Sequence, residues 1–257
     1  MSRSLFSLEG MSALITGGNR GLGRGIALGL RAAGAVVAVT GRDPDRNRVV
    51  AGELGREGMV LALDVRDEDA VAQVVSEVVA RFGSLDILVN NAGVARGAPV
   101  LDTEREDWDA TIETNLTGAF LCAKHAGRAM VEAGRGGKII NVASIYSIYG
   151  APRLAHYGSS KAGLLGLTRS LAIELAPHNI QVNAILPGWC ETDMTREEVE
   201  GPLGEDIRRK TPAGRWGQSE DLVGAAVFLA SAASAFVTGI SLPVDGGYLI
   251  SERFSPN

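Results

Sequence analysis

Seven short apolar runs recur along this chain, and most show no alternation of polar with apolar residues. They lie at 13–16, 35–40, 59–63, 87–89, 138–142, 180–186 and 240–244. A strand with one face in water alternates; a strand covered on both faces does not. Helical patterns separate the runs: 21–33 before Gly34, 69–82, 108–131 and 157–175. In the second of these Val71, Val74, Val75, Val78 and Val79 form one stripe. Strand–helix alternation of this kind predicts an α/β fold, a doubly wound, Rossmann-like parallel sheet of seven strands. No linker or composition break divides residues 1–257, so one domain is expected. Segment 191–215 interrupts the alternation and carries Gly201, Pro202, Gly204, Pro212 and Gly214. Long insertions at strand ends often form lids, and a plain surface excursion is the alternative.

Open sheets of this type bind ligands beyond the carboxyl ends of their strands. The residues following each run are therefore the candidates. The first turn, 16–23, reads Thr-Gly-Gly-Asn-Arg-Gly-Leu-Gly and opens a helix. Glycines there let a backbone approach a pyrophosphate at the helix N-terminus. Gly17, Asn19, Arg20, Gly21, Leu22 and Gly23 are assigned to a dinucleotide on that ground. An acid commonly ends the second strand and holds the ribose of NAD. Here the end reads Thr40-Gly41-Arg42-Asp43, with glycine where the acid is expected. Arg42 and Arg20 suit a 2′-phosphate through charge-assisted bonds, so NADP is the preferred cofactor. NAD stays possible through Asp43. Asn90-Asn91-Ala92-Gly93 closes the fourth run, Ser144 the fifth and Pro187-Gly188 the sixth.

Tyr157 and Lys161 are four residues apart, on one face of a helix. A free phenol titrates near pH ~10, and a nearby cation favours its ionised form. Such a pair can exchange a proton with an alcohol or carbonyl. Asn115 stands within a helical stretch, where asparagine is a mediocre former, and suits a bond to a carbonyl or a water.

Together these residues make the chain resemble the short-chain dehydrogenase/reductase family from about residue 8 to 247. The likeness implies that Tyr157 donates or accepts the proton and that Lys161 lowers its pKa and binds the nicotinamide ribose. It implies that Ser144 bonds the substrate oxygen and that Asn115 organises a water leading from Lys161. Asp64 and Val65 would flank the adenine, and Asn91, with Ala92 and Gly93 beside it, the adenosine ribose. Thr192 would bond the carboxamide. Cys190 stands where the family usually carries a branched aliphatic residue. The reaction implied is hydride transfer between a nicotinamide and a secondary alcohol or ketone. Residues 5–10, 212–217 and 244–247 resemble the family's sugar-acid branch, the deoxyketogluconate and gluconate 5-dehydrogenases. The likeness also implies a homotetramer, with interfaces from 240–247 and the helices near Trp108 and Tyr157.

For the substrate, Arg96 and Arg153 are candidates to hold a carboxylate, or two exposed surface arginines. Tyr149 and Trp189, with Tyr146 and Trp216, would line an apolar wall that suits a broader range of ketones. A 3-oxoacyl carrier-protein reductase shares the same motifs but calls for a basic docking patch. A non-catalytic cofactor-binding regulator is the alternative of another class.

The net charge of -5 offers no footprint for nucleic acid. Cys122, Cys190 and the three histidines make neither a metal spacing nor a disulfide framework, so no metal is expected. Residues 1–8 lack the apolar core of a secretory signal, and no apolar run approaches a membrane span. A cytoplasmic protein with a small-molecule substrate is the expectation.

Overall fold

The computed structural model describes residues 4–252. The remaining residues of the expected 1–257 domain, including part of the 1–8 stretch, lie outside them. Seven parallel strands form one sheet: β1 (Ser12–Ile15), β2 (Val36–Gly41), β3 (Met59–Ala62), β4 (Ile87–Asn90), β5 (Gly137–Val142), β6 (Ile180–Pro187) and β7 (Ser241–Val244). Their order is β3-β2-β1-β4-β5-β6-β7, so chain direction across the sheet reverses between β1 and β4. All seven expected strands are present, and the central ones are buried on both faces.

Helices cover each face. On one, Ile26 and Leu30 of α1 (Gly21–Ala32), Val50 and Leu54 of α2 (Pro44–Leu54) and Leu229 of α9 (Val223–Ala230) join the core. On the other, α3 (Glu68–Phe82), α5 (Gly118–Ala133) and α6 (Ala155–Leu175) pack through Val71, Val78, Ala123, Met130 and Ala172. Such two-sided cover is what makes the strand sequences continuously apolar.

The expected helix over 108–131 is three pieces. It comprises α4 (Arg105–Ile112), one π-helical stretch (Glu113–Thr117) and α5. Segment 191–215 is not plain loop: it carries α7 (Arg196–Glu200) and α8 (Leu203–Lys210). Trp216, just beyond, is 6% exposed and donates from Nε1 to the Gly204 carbonyl at 3.1 Å. That bond and the contact with Ile207 fasten the segment to the body. Among the described residues no helix is long and apolar enough to cross a membrane.

Candidate active site

The carboxyl ends of β1, β2, β4, β5 and β6 surround a crevice of about 440 Å³ at the reversal point. Every residue that the sequence assigned to the cofactor lines it, and so do Ser144, Tyr157 and Lys161.

At one end lies the glycine turn. Gly17 and Gly21 take φ of +61° and +50°, a region costly for other residues. A Cβ on Gly23 would lie 2.7 Å from the Gly17 carbonyl oxygen, so only glycine fits. The N-terminus of α1 has no side-chain cap and no acid in its first turn. Its N–H groups and positive dipole end are left for an anion, as a pyrophosphate requires.

Beside it, Gly41 is closely flanked: a Cβ there would fall 2.7 Å from Asn47 Oδ1 and closer still to Asn19, so those two side chains would have to move to admit one. Asp43 is occupied as the N-cap of α2, its Oδ1 accepting from the N–H groups of Asp45 and Arg46 at 3.0 and 3.1 Å. Those bonds, with Arg46 and Arg20 nearby, hold its carboxyl below the usual range. The acid that would hold an unphosphorylated ribose is thus absent at 41 and engaged at 43. Three arginines, Arg20, Arg42 and Arg46, border the same end of the crevice. Arg42 stands 3.9 Å from Asp64, whose carboxylate is held chiefly by Arg66 and has its pKa lowered by that bond.

Sequence reasoning missed Arg46 and its partner Asp193, linked at 2.6 Å across the crevice mouth. The signal was available: Asp43-Pro44 is an N-cap followed by proline at the first helical position. Reading α2 there would have placed Arg46 in its first turn, close in the chain to Arg42.

At the other end stand the proton-handling groups. The loop after β5 places Ser144 in an extended conformation, its Oγ accepting from the Tyr146 N–H at 3.1 Å. The Tyr157 hydroxyl, from the first turn of α6, sits against the Ser144 hydroxyl. Tyr157 is half-buried as a residue while its hydroxyl is enclosed. Lys161 Nζ donates to the Val142 carbonyl at 2.7 Å and lies 5.8 Å from the centre of the Tyr157 ring. Burial pushes Lys161 down to about 8. Burial also raises Tyr157, and the bond to Ser144 pulls the other way. The expected lowering of the tyrosine by Lys161 therefore does not arise from the chain's own groups. Lys161 spends its close contact on a carbonyl, and enclosure dominates the phenol.

Asn115 lies behind the crevice, in the π-helical stretch. Its Oδ1 accepts from the Val94 N–H at 2.8 Å, and its Nδ2 donates to the Val94 carbonyl and to Ser160 Oγ at 2.9 and 3.0 Å. That clamp ties the loop after β4 to the helix carrying Tyr157 and Lys161. Cys190 is buried and its thiol is raised to about 12, so it is inert.

Arg96 and Arg153 do not reach the crevice. Arg96 pairs with Asp107 at 2.8 Å, and Arg153 donates to the Gly97 carbonyl at 3.3 Å; both are exposed. Tyr149 and Trp189 belong to an aromatic cluster extending from the site rather than to the crevice itself. The Tyr146 ring meets those of Tyr149, Trp189 and Tyr157 at 5.2, 5.9 and 6.3 Å.

The family model described as Enoyl-(Acyl carrier protein) reductase matches residues 17–249. The 2-dehydro-3-deoxy-D-gluconate 5-dehydrogenase of Escherichia coli is 42% identical, across 97% of this chain and 99% of its own. The chain belongs to the short-chain dehydrogenase/reductase family. Within it, the 3-oxoacyl-acyl-carrier-protein reductase of E. coli is 40% identical, across 94% and 98% of the two chains. A crystal structure described as a gluconate 5-dehydrogenase from Burkholderia cenocepacia, in complex with NADP and tartrate, is 40% identical with a TM-score of 0.91. It covers 96% of this chain and 98% of that one. Identities this close do not separate a sugar-acid dehydrogenase from an acyl-carrier reductase.

Proposed function

We propose that the protein is an NADP-preferring oxidoreductase of the short-chain family that interconverts a secondary alcohol and a ketone. Its substrate is a sugar acid of the gluconate or deoxyketogluconate type. The observation carrying the reaction is the convergence of Ser144, Tyr157 and Lys161 at one end of a crevice whose other end suits a pyrophosphate.

When bound, the nicotinamide coenzyme supplies or receives the hydride. The glycine turn and the bare N-terminus of α1 hold its diphosphate, and Arg20, Arg42 and Arg46 hold its 2′-phosphate. Asp64, Val65, Asn91, Ala92 and Gly93 border the adenosine, and Pro187, Gly188, Cys190 and Thr192 the nicotinamide. The Ser144 and Tyr157 hydroxyls bond the substrate oxygen. Burial favours the protonated form of Tyr157, which can give its proton to a carbonyl oxygen. Lys161, near pKa 8, adds positive charge and a path for replacing that proton. Asn115 fixes the loop and helix that bring these groups together, and the water it is expected to organise would extend that path. Segment 191–215 acts as a lid, fastened at the coenzyme end by Arg46 and Asp193.

NADPH oxidation with a panel of keto-sugar acids, simple ketones and 3-oxoacyl thioesters tests the reading. Keto-sugar acids are expected to react best, and turnover restricted to acyl thioesters would replace the substrate assignment. NADH used as well as NADPH would remove the coenzyme preference.

We also infer a homotetramer in the cytoplasm. Exposed Trp108, Phe120 and Ile173 on α4, α5 and α6 support assembly, and two free cysteines suit a reducing compartment. Light scattering reads the mass directly.

A further inference from the structure

Three polar atoms on the aromatic side of Tyr157 are buried without a hydrogen-bond partner in the protein: Trp189 Nε1, the Tyr149 hydroxyl and Glu198 Oε2. The Tyr149 hydroxyl sits near those of Tyr146 and Tyr248 without a well-formed bond to either. The Trp189 and Tyr149 rings both pack on Tyr146, which meets Tyr157 edge-on. Glu198 comes from α7, in the segment above, and its charge acts on the Tyr146 hydroxyl. Other such atoms, on Thr40, Asn90 and His156, belong to β2, β4 and α6.

Leaving a buried polar atom unpaired costs roughly 1–3 kcal/mol, so native chains keep few. Three gathered around Tyr146, whose ring meets that of Tyr157 at 6.3 Å, call for a common explanation. Their chemistry is complementary: an indole donates only, a carboxylate accepts only and a phenol does both. A row of aliphatic hydroxyls offers the matching acceptors and donors, whereas a plain hydrocarbon ketone or an acyl chain offers neither. We propose that Glu198, Trp189 and Tyr149 read the hydroxyl groups of a polyhydroxylated substrate, with Glu198 accepting and Trp189 donating. A substrate carboxylate is repelled by Glu198, so a sugar acid lies with its carboxylate turned away from α7. The inference rests on the alcohol–ketone oxidoreductase reading but not on the substrate being an acid.

The test compares a keto-D-gluconate, D-fructose and cyclohexanone as substrates with NADPH, in wild type and Glu198→Gln. A hydrogen bond to a charged group is worth about 1.5–3 kcal/mol, or roughly ten- to a hundredfold. In E198Q the fall in kcat/KM for the hydroxylated substrates is expected to exceed that for cyclohexanone by about tenfold or more, mostly through KM. W189F, which keeps a ring and removes the donor, is expected to repeat the split. An equal loss on all three substrates, or none, overturns the proposal. Fructose turned over without keto-gluconate would end the sugar-acid reading and leave this one standing. Turnover of cyclohexanone alone would end this one and leave the oxidoreductase. Should none react, tryptophan fluorescence titrated with keto-gluconate and with fructose decides: no saturable change in wild type overturns it.

Discussion

Two buried lysines stand at opposite ends of β5, and burial brings both to a pKa of about 8. Lys138, on the strand's amino end, donates to Ser234 Oγ at 3.2 Å. Lys161 reaches the carboxyl end from α6 and donates to Val142, the last residue of the strand. Around the first end the polar groups satisfy one another. Asp86 accepts from the Ser12 N–H at 2.9 Å, from the Ser84 hydroxyl at 2.9 Å, and from Arg135. Around the second, Lys161 lines an open crevice with Tyr157 and Ser144 beside it. The same shift therefore accompanies a structural group and a reactive one. A displaced pKa reports enclosure; what shares the enclosure decides whether chemistry follows.

The sharpest way to break this contrast is to remove each ammonium in turn. Lys161→Met is expected to lower kcat by roughly 10²–10⁴, the range of a positioned acid–base system, as is Tyr157→Phe. Lys138→Met should leave kcat within about twofold. Comparable losses from the two lysine variants would show that the amino end feeds the reaction and would dissolve the distinction.

Stability is expected to reverse the ranking. Asp86→Ala removes the acceptor of several buried donors and should cost about 3 kcal/mol. The thermal midpoint falls while kcat/KM per folded molecule holds. At the crevice end, Arg46→Gln breaks an exposed ion pair with Asp193, worth only about 0–1 kcal/mol. Its expected cost is in the coenzyme: KM for NADPH rises about tenfold or more, and KM for NADH much less. Equal effects on both coenzymes would remove Arg46 from the phosphate site.

The crevice end was the more legible from sequence, because its residues follow strands at short, fixed offsets. Tyr157 and Lys161 share a helix face, and the glycine turn is local. What stayed hidden depends on tertiary contacts. Arg46 and Asp193 lie 147 residues apart, and α2 buries little beyond Val50 and Leu54, so its periodicity is faint. The π-helical stretch at 113–117 carries Asn115 and its clamp on Val94, a contact that no spacing reveals. Arg96 looked close to the crevice along the chain, but Asp107 of α4 takes its charge. The orphaned atoms around Tyr146 become visible only once α7 is folded over the aromatic wall.

The pH dependence of stability sharpens the comparison at its finest grain. Lys138 and Lys161 hold protons less tightly folded, at about 8, than at their ordinary 10.5. Between those values the unfolded chain carries more protons, so both lysines make stability rise with pH across that window. Below pH 8 both states are protonated and folding bears the full cost of two enclosed charges. The buried thiols act oppositely. Cys122 and Cys190 are raised from 9.0 to about 12, so above pH 9 the folded chain keeps protons that the unfolded chain loses, and stability falls. In the wild type the two effects overlap above pH 9. Subtracting the thermal midpoint of Lys138→Met from that of the wild type cancels the thiols and Lys161 and leaves Lys138 alone. That difference is expected to be negative near pH 7, where the variant escapes a buried charge, and to climb toward zero between pH 8 and 10. A flat difference would mean that Lys138 titrates normally, and that only the crevice end of β5 holds a perturbed lysine.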